Sequence, residues 1–211
     1  MKTKLFFIAV ATLVLLNCQT SQAQLKFGAH AALNIETQTE AGELWNNANF
    51  YQGYLIGGFM DYRMGKTLSL QTELNYQKKG RKYDNNSEGS ETVVRNEFNY
   101  ITIPLLAKAN IHDNSLGDKW DLSFFSGPYI GFLTSAYSNS ETGNDKTTVN
   151  IEDQAENTDF GLIFGGGVSY KLRSGDAIIA ELRYQMGLNQ VDKQDPDLRN
   201  KGMGITIGYR F

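Results

Sequence analysis

The chain has 211 residues, a length that usually forms one domain, and its 20 basic and 23 acidic residues give a net charge of −3. Without a basic surplus, recognition of a nucleic-acid backbone by charge is excluded. A single cysteine, Cys18, excludes an internal disulfide framework and a multi-cysteine metal site. The composition therefore leaves a cysteine-poor, mildly acidic protein rich in glycine and aromatic residues.

The N-terminus has the pattern of a secretory signal peptide. Two lysines precede the short apolar run Leu5–Leu16, and Ser21-Gln22-Ala23 supplies small residues at the cleavage positions. The apolar run is too short to span a bilayer as a mature helix. We predict a signal peptide at 1–23 that is removed on export, leaving one domain at 24–211 with a net charge of −5.

Cys18 allows a second interpretation, in which it is the lipidated cysteine of a lipoprotein. Lipoprotein signals favour a small residue directly before the cysteine, whereas this chain has Asn17. Cleavage after Ala23 is the favoured alternative, and the mature chain then contains no thiol.

Eight segments of the remaining chain alternate apolar and polar residues with the period of two that indicates a β-strand. No helical period competes over a long stretch, and no run of 18 apolar residues follows the leader. The predicted strands are Leu25–Ile35, Gln52–Met64, Leu68–Lys82, Asn99–Ile111, Trp120–Tyr137, Asp159–Leu172, Ala177–Gly187 and Lys201–Phe211.

The connections between these strands alternate in length. The short ones are Gly65–Thr67, His112–Lys119 and Arg173–Asp176, and the long ones are Glu36–Tyr51, Tyr83–Phe98, Ser138–Thr158 and Leu188–Asn200. An even strand count with tight turns at one end and long loops at the other is typical of outer-membrane barrels. We predict an all-β fold: an eight-stranded antiparallel up-and-down transmembrane β-barrel with long extracellular loops and short periplasmic turns.

Most predicted strands have one apolar face and one face of charged residues and glycines; the fifth is apolar on both faces. Aromatic residues fall at the strand ends of the apolar face, as in the aromatic belts of membrane barrels. If that face contacts lipid, the lumen contains the charges Asp61, Arg63, Glu73, Lys108, Glu181, Arg183 and Arg210. The opposite arrangement would give a soluble lipocalin-like barrel that binds a small apolar ligand, and it stays open as an alternative.

The last strand ends on an aromatic residue of the apolar face. Its alternating residues Met203, Ile205, Ile207, Tyr209 and Phe211 resemble the C-terminal signal that the barrel assembly machinery reads. Other matching motifs are Leu25–Gly28, Leu70–Tyr76 with Gly80, Tyr100–Leu106, Gly127-Pro128-Tyr129 and Gly166-Gly167-Val168. Over essentially the whole mature chain, the sequence resembles the small outer-membrane β-barrels called porin family or PorT-like proteins.

The resemblance implies a location in the bacterial outer membrane, with membrane lipid and the assembly machinery as partners and no cofactor. The word porin in the family name implies no demonstrated transport. We therefore expect a non-enzymatic protein with a structural or surface-interaction role, whose loop partner the sequence does not identify. A narrow passive channel for ions or small solutes is the alternative.

The predicted lumen charges have two interpretations. An eight-stranded barrel is just wide enough for side chains to fill it, and buried charges must pair because an unpaired one costs several kcal/mol. A structural polar core is therefore favoured over a narrow ion path.

A basic cluster follows the third predicted strand. Its residues Lys78, Lys79, Arg81 and Lys82 are candidates for contact with lipid phosphates at the outer rim. The alternative is a solvated extension of the strand.

The long loops carry a net charge of −11. We expect this charge to keep the loop tips soluble. The alternative is that the acidic loops bind bridging divalent cations, but no segment has the spacing of a calcium loop. His30 and His112 form neither a metal cluster nor a catalytic set, so no metal site is predicted.

Overall fold

The computed structural model describes residues 25–39, 50–87, 90–111, 118–143 and 145–211, with side chains described for all of these except 85–91. The predicted signal peptide at 1–23, Cys18 and His112 lie outside the described residues. The described segments form nine strands: β1 Leu25–Thr39, β2 Tyr51–Arg63, β3 Leu68–Ser87, β4 Ser90–Ile111, β5 Trp120–Thr142, β6 Asp145–Asn150, β7 Thr158–Lys171, β8 Ala177–Gly187 and β9 Arg199–Arg210. Within the same segments, no helix is long and apolar enough to cross a membrane.

Eight of the nine strands form a closed ring of antiparallel pairs. The order round the ring is β1, β2, β3, β4, β5, β7, β8 and β9, and β9 pairs again with β1. Strand β6 pairs with β5 outside this ring. The result is an all-β, up-and-down, barrel-like fold in which each ring strand has a partner on both sides, so the ring leaves no free edge.

The prediction of eight strands is wrong by one, because β6 lies inside the segment that we predicted as the third long loop. All six residues of β6 are exposed, so no apolar face produces the alternation that identifies a strand. The strand forms a hairpin with the end of β5, in register from Tyr137↔Asn150 to Thr142↔Asp145.

The second predicted long loop, Tyr83–Phe98, is also largely strand. Strands β3 and β4 stay paired as far as Ser87↔Ser90. Arg95 on β4 lies 3.0 Å from Glu141 on β5, and hydrogen bonds from Lys146 and Arg95 hold the pKa of Glu141 below its usual value. This hairpin has polar side chains on both faces. The alternation of apolar and polar residues therefore stops in the sequence, although the backbone pairing continues.

The apolar face of the ring points outward. Ile56 and Leu182 are 59% and 61% exposed, whereas Glu73 and Glu181 are 3% and 4% exposed. This distribution is the reverse of a soluble barrel, whose interior is apolar. It does not fit the soluble lipocalin-like alternative.

Strand β5, apolar on both faces in the sequence, also has a defined inner face. Phe125 and Tyr129 are buried, and Phe124 and Ile130 are exposed. Near its loop end, the register with β4 shifts between Asn99 and Tyr100. Beyond this bulge Ala136 points inward, where it is fully buried.

We call the end of the ring at 64–67 and 172–176 the turn end, and the opposite end the loop end. Two segments, 151–157 and 188–198, fold over the loop end and are joined by the backbone hydrogen bond from Glu156 N to Val191 O (2.8 Å). Beneath them lies a small apolar cluster, with buried members Phe98, Tyr100, Ala136, Ala155 and Val191. The loop end of the ring is thus covered by packed chain.

Candidate functional site: the charged barrel interior

The centre of the interior contains an ion pair that crosses the ring. The guanidinium of Arg183 on β8 donates two hydrogen bonds, of 2.8 and 2.9 Å, to the carboxylate of Glu73 on β3. Three strands separate β3 from β8 in either direction round the ring. The pair therefore spans the diameter, and its bidentate geometry is the strongest form of a charge-assisted hydrogen bond.

A second carboxylate and a second cation complete this central network. Arg183 also donates to Glu181 at 2.7 Å, and Lys108 on β4 donates to the other oxygen of Glu181 at 2.7 Å. The network contains two acids and two bases and is neutral. Such compensation is what allows charges to persist away from water.

Neutral side chains satisfy the remaining carboxylate lone pairs of the network. Gln71 and Asn75 donate to the two oxygens of Glu73 at 2.7 and 2.9 Å. His30, buried on the inner face of β1, lies with Nε2 2.7 Å from Asn75 Oδ1. The network thus extends over β1, β3, β4 and β8 without leaving the interior.

The ring of Phe125 lies against both cations of the network. Its centroid is 5.2 Å from Arg183 Cζ and 5.4 Å from Lys108 Nζ, within cation–π range. Gly165 on the neighbouring strand leaves room for this ring, since a Cβ there would lie 2.3 Å from Phe125 Cζ. The glycine is therefore part of the way the network is packed.

Substituting Gly165→Ala tests this packing. We expect the free energy of unfolding to fall by about 1–3 kcal/mol, the usual cost of overpacking. A Cβ at this position would also lie 2.5 Å from the backbone oxygen of Leu182, so both the Phe125 ring and the neighbouring strand must shift. Gly166→Ala is a matched control on the adjacent, outward-facing residue, where the nearest atom to a new Cβ is 3.2 Å away. Urea unfolding in lipid vesicles measures both. Equal losses at the two positions would contradict the packing described.

A second buried ion pair lies nearer the loop end. Lys79 on β3 is 2.7 Å from the carboxylate of Asp159 on β7, and Tyr129 and Asn200 donate to the same carboxylate at 3.2 and 3.1 Å. The ammonium group lies 4.6 Å from the centroid of the Tyr129 ring. Sequence reasoning missed Asp159, although it lies at the start of a predicted strand.

The structure corrects the interpretation of the basic cluster at 78–82. Lys79 is only 1% exposed, and Arg81 shares its inward face because both are an even number of residues from Glu73. Lys79 therefore cannot contact lipid phosphates at the outer rim, whereas Arg81 is partly exposed at the loop end. Lys78 and Lys82 lie on the outward face, where they pair with Glu97 and Asp84 at 2.8 and 3.7 Å.

A third group of predicted lumen residues lies at the turn end. Arg210 is 3.6 Å from Asp61, and Arg63 lies two residues after Asp61 on the same face of β2. The seven predicted lumen charges thus divide between the central network and this terminal group.

The turn at 172–176 is hydrogen-bonded to the last strand. Ser174 and Tyr209 both donate to the carboxylate of Asp176 at 2.7 Å. These hydrogen bonds hold the pKa of Asp176 below its usual value. Because Tyr209 is on β9, the contact fixes the C-terminal strand against the turn before β8.

Glu36 is a buried acid that the sequence placed in a loop. It is 2% exposed and accepts hydrogen bonds from Asn34 and Gln77 at 3.1 and 3.3 Å. Gly202 makes space for it, because a Cβ at that position would lie 2.3 Å from Glu36 Oε2. Continuing the period of two beyond Ile35 would have found this residue.

Free space at this level of the lumen is small. A cavity of about 20 Å³ lies between Glu36, Gln185 and Thr206, enough for about one water molecule. Gln77 on β3 and Gln185 on β8 hydrogen-bond across the same level at 2.9 Å. Side chains therefore meet across the ring above the central network as well as within it.

A closed antiparallel ring with an apolar exterior and a charged interior defines a class of protein, the outer-membrane β-barrels. The sequence profile described as outer membrane protein beta-barrel domain matches residues 18–193. The chain belongs to this family.

Several solved structures are similar to this chain over most of its length. Neisserial surface protein A (NspA) is 14% identical, with 90% of this chain and 100% of that chain covered and a TM-score of 0.48. Outer membrane protein W of E. coli is 13% identical, with 92% and 100% covered and a TM-score of 0.44. Ail of Yersinia pestis is 12% identical, with 90% and 100% covered and a TM-score of 0.42. No curated protein matches the chain.

Proposed function

We propose that the protein is a non-enzymatic integral barrel of the bacterial outer membrane with a closed lumen, which has a structural or surface-interaction role. The observation that carries this proposal is the ion pair between Arg183 and Glu73, which joins opposite sides of the ring at 2.8 Å. Since the lumen is crossed by bonded side chains, the surfaces available to a partner are the outer face and the loop end.

The filled lumen argues against the narrow passive channel. A channel needs a continuous path for water, whereas Gln77 and Gln185 meet across one level of the lumen and Glu73 and Arg183 across another. Opening a path would separate buried charges from their partners, at a cost of several kcal/mol per ion.

The proposed orientation places the turn end in the periplasm and the loop end outside the cell. In this arrangement the signal peptide at 1–23 is removed on export, and both ends of the barrel domain face the periplasm. Exposed aromatic side chains occur near both ends of the outer face, among them Phe27 and Tyr54, and aromatic belts of this kind mark the two membrane interfaces.

The outward face offers contacts for two partners. We assign membrane lipid to the exposed apolar side chains, and the assembly machinery to the alternating residues Met203, Ile205, Ile207, Tyr209 and Phe211, all of which are exposed. Lys78 and Lys82 remain candidates for lipid-phosphate contact, because both point outward near the loop end. The narrower PorT-like grouping rests on the sequence motifs alone.

Planar-bilayer recording tests the closed lumen. We expect no stepwise conductance from the purified wild-type protein, and none from Lys193→Ala, a control at an exposed loop position. Arg183→Ala removes the group that crosses the lumen and tests whether that group is what closes it. Regular ohmic steps from the wild-type protein, altered by Arg183→Ala but not by Lys193→Ala, would establish the channel and contradict the proposal.

A further inference from the structure

A polar pocket lies at the loop end, apart from the ion pairs of the interior. Its volume is about 200 Å³, and it opens between the inner faces of β3, β4 and β5 and the segment that covers the loop end. The size is below the range of about 300–1,000 Å³ that holds drug-sized ligands. It suits a small metabolite or one sugar ring.

One wall of the pocket is a row of three directly paired residues. Arg81 on β3 pairs with Asn96 on β4, and Asn96 pairs with Ser138 on β5. All three line the pocket. Because the backbone of each strand is held by its neighbours, the three side chains start from fixed positions at one level, as a preformed site requires.

Two atoms of this wall are buried and have no hydrogen-bond partner within the described part of the chain. They are Arg81 Nε, a donor, and Asn96 Oδ1, an acceptor. Such atoms are uncommon in native structures, because each costs about 1–3 kcal/mol when it is left unsatisfied. The two atoms themselves are covered by protein, so an occupant meets the other polar atoms of the two side chains that line the pocket, the N–H donors of the guanidinium and of the amide.

Arg81 also has no ion-pair partner among the described residues. Its guanidinium lies over the ring of Tyr83, with Cζ 5.2 Å from the ring centroid. This distinguishes Arg81 from Lys79, which shares the inner face of β3 but pairs with Asp159 at 2.7 Å. A guanidinium without an ion-pair partner favours binding of a carboxylate or a similar anion.

The other lining residues select among anions. Asp192 lines the pocket opposite the wall of strands, and its negative charge disfavours a doubly charged group such as phosphate. Its carboxylate and the amide of Gln154 suit hydroxyl donors. Tyr83 and Phe98 offer aromatic surface, against which the apolar face of a sugar ring can pack.

We propose that this pocket binds a single acidic sugar residue of the uronic acid class. The carboxylate of the sugar binds Arg81, its hydroxyl groups accept a hydrogen bond from the amide of Asn96 and donate to Asp192, and its ring packs on Tyr83. A uronic acid combines one negative charge with several hydroxyl groups, and the pocket offers a guanidinium together with two amides and a carboxylate. The inference depends on the proposed function only for its setting, since the loop end must face outward to meet surface or environmental glycans.

Saturation-transfer NMR on the folded protein in detergent micelles tests the proposal, with D-glucuronate and D-galacturonate as probes and D-glucose as the neutral comparison. We expect transfer to at least one uronate and at least tenfold weaker binding of glucose. Arg81→Gln should weaken uronate binding by tenfold or more, and Asn96→Ala should weaken it as well. Lys82→Gln, one residue away on the outward face, should leave binding unchanged.

The outcomes separate this inference from the proposed function. A heat-dependent gel shift of each preparation first shows that the variants are folded. Folded wild-type protein that binds none of the sugars overturns the pocket and leaves the closed membrane barrel intact. Equal binding of glucuronate and glucose, or uronate binding that survives Arg81→Gln, overturns the role of the guanidinium.

Discussion

Arg183→Ala is expected to lower the free energy of unfolding by about 3–5 kcal/mol, the usual loss when one partner of a buried ion pair is removed. The substitution leaves Glu73 without its arginine and Glu181 with Lys108 alone, although the two acids are only 3% and 4% exposed. Their mutual repulsion then adds to the cost of keeping each carboxylate away from water. Tryptophan fluorescence during urea unfolding in lipid vesicles measures the change.

The matched control is Arg173→Ala, which removes the same side chain from an exposed position in the turn before β8. Exposed substitutions of this kind change stability by about 0.5 kcal/mol or less. The double variant Glu73→Gln with Arg183→Met removes one charge of each sign and should be less damaging than Arg183→Ala alone. If Arg183→Ala is as stable as Arg173→Ala, the Arg183 pair does not hold the lumen together.

The second large effect concerns the outer face. Ile207 is 55% exposed and is the central member of the five outward residues at the C-terminal end. If this face contacts lipid, Ile207→Arg should cost about 2–4 kcal/mol, as a basic residue near the bilayer midplane does in transmembrane barrels. If water surrounded this face, the same change at an exposed site would cost about 0.5 kcal/mol or less.

Gln194→Arg introduces the same side chain at an exposed position in the segment that covers the loop end, and it should leave stability unchanged. Ile207→Ala separates the loss of the isoleucine from the burial of a charge in lipid. Folding of all variants into vesicles is measured by the same urea titration. An Ile207→Arg protein that folds as stably as Ile207→Ala would contradict the assignment of this face to lipid.

Strand prediction succeeded where one face of the strand points into the polar interior and the other face is apolar and points outward. Strand β8 has the predicted bounds, and β9 differs from its prediction by two residues at its start and one at its end. The strict alternation of these strands comes from two different surroundings on opposite sides of one sheet. Where water contacts both sides, as in β6, the alternation disappears and the strand is invisible in the sequence.

The period of two also identifies the inner face of each strand correctly, but it does not identify which side chains on different strands form ion pairs. It placed Glu73, Lys108, Glu181 and Arg183 on the same side of the sheet. That Arg183 meets Glu73 across the diameter depends on the ring order and on the shear between strands, which no single strand encodes.

The residues that the sequence misplaced share a cause. Lys79 and Glu36 lie where a predicted strand approaches a polar segment, so Lys79 was assigned to lipid phosphates and Glu36 to a loop. Both are nevertheless on the inner face by parity, and both are buried. In a barrel whose interior is charged, a polar residue that keeps the inward period is better assigned to the lumen than to the surface.

The central claim is an outer-membrane barrel with its apolar face outward, and membrane fractionation combined with gel electrophoresis of boiled and unboiled samples tests it most directly. The account predicts recovery in the outer-membrane fraction and a band that changes mobility on boiling, because the closed ring resists detergent until it is heated. A soluble protein whose mobility is unchanged by boiling would contradict the account.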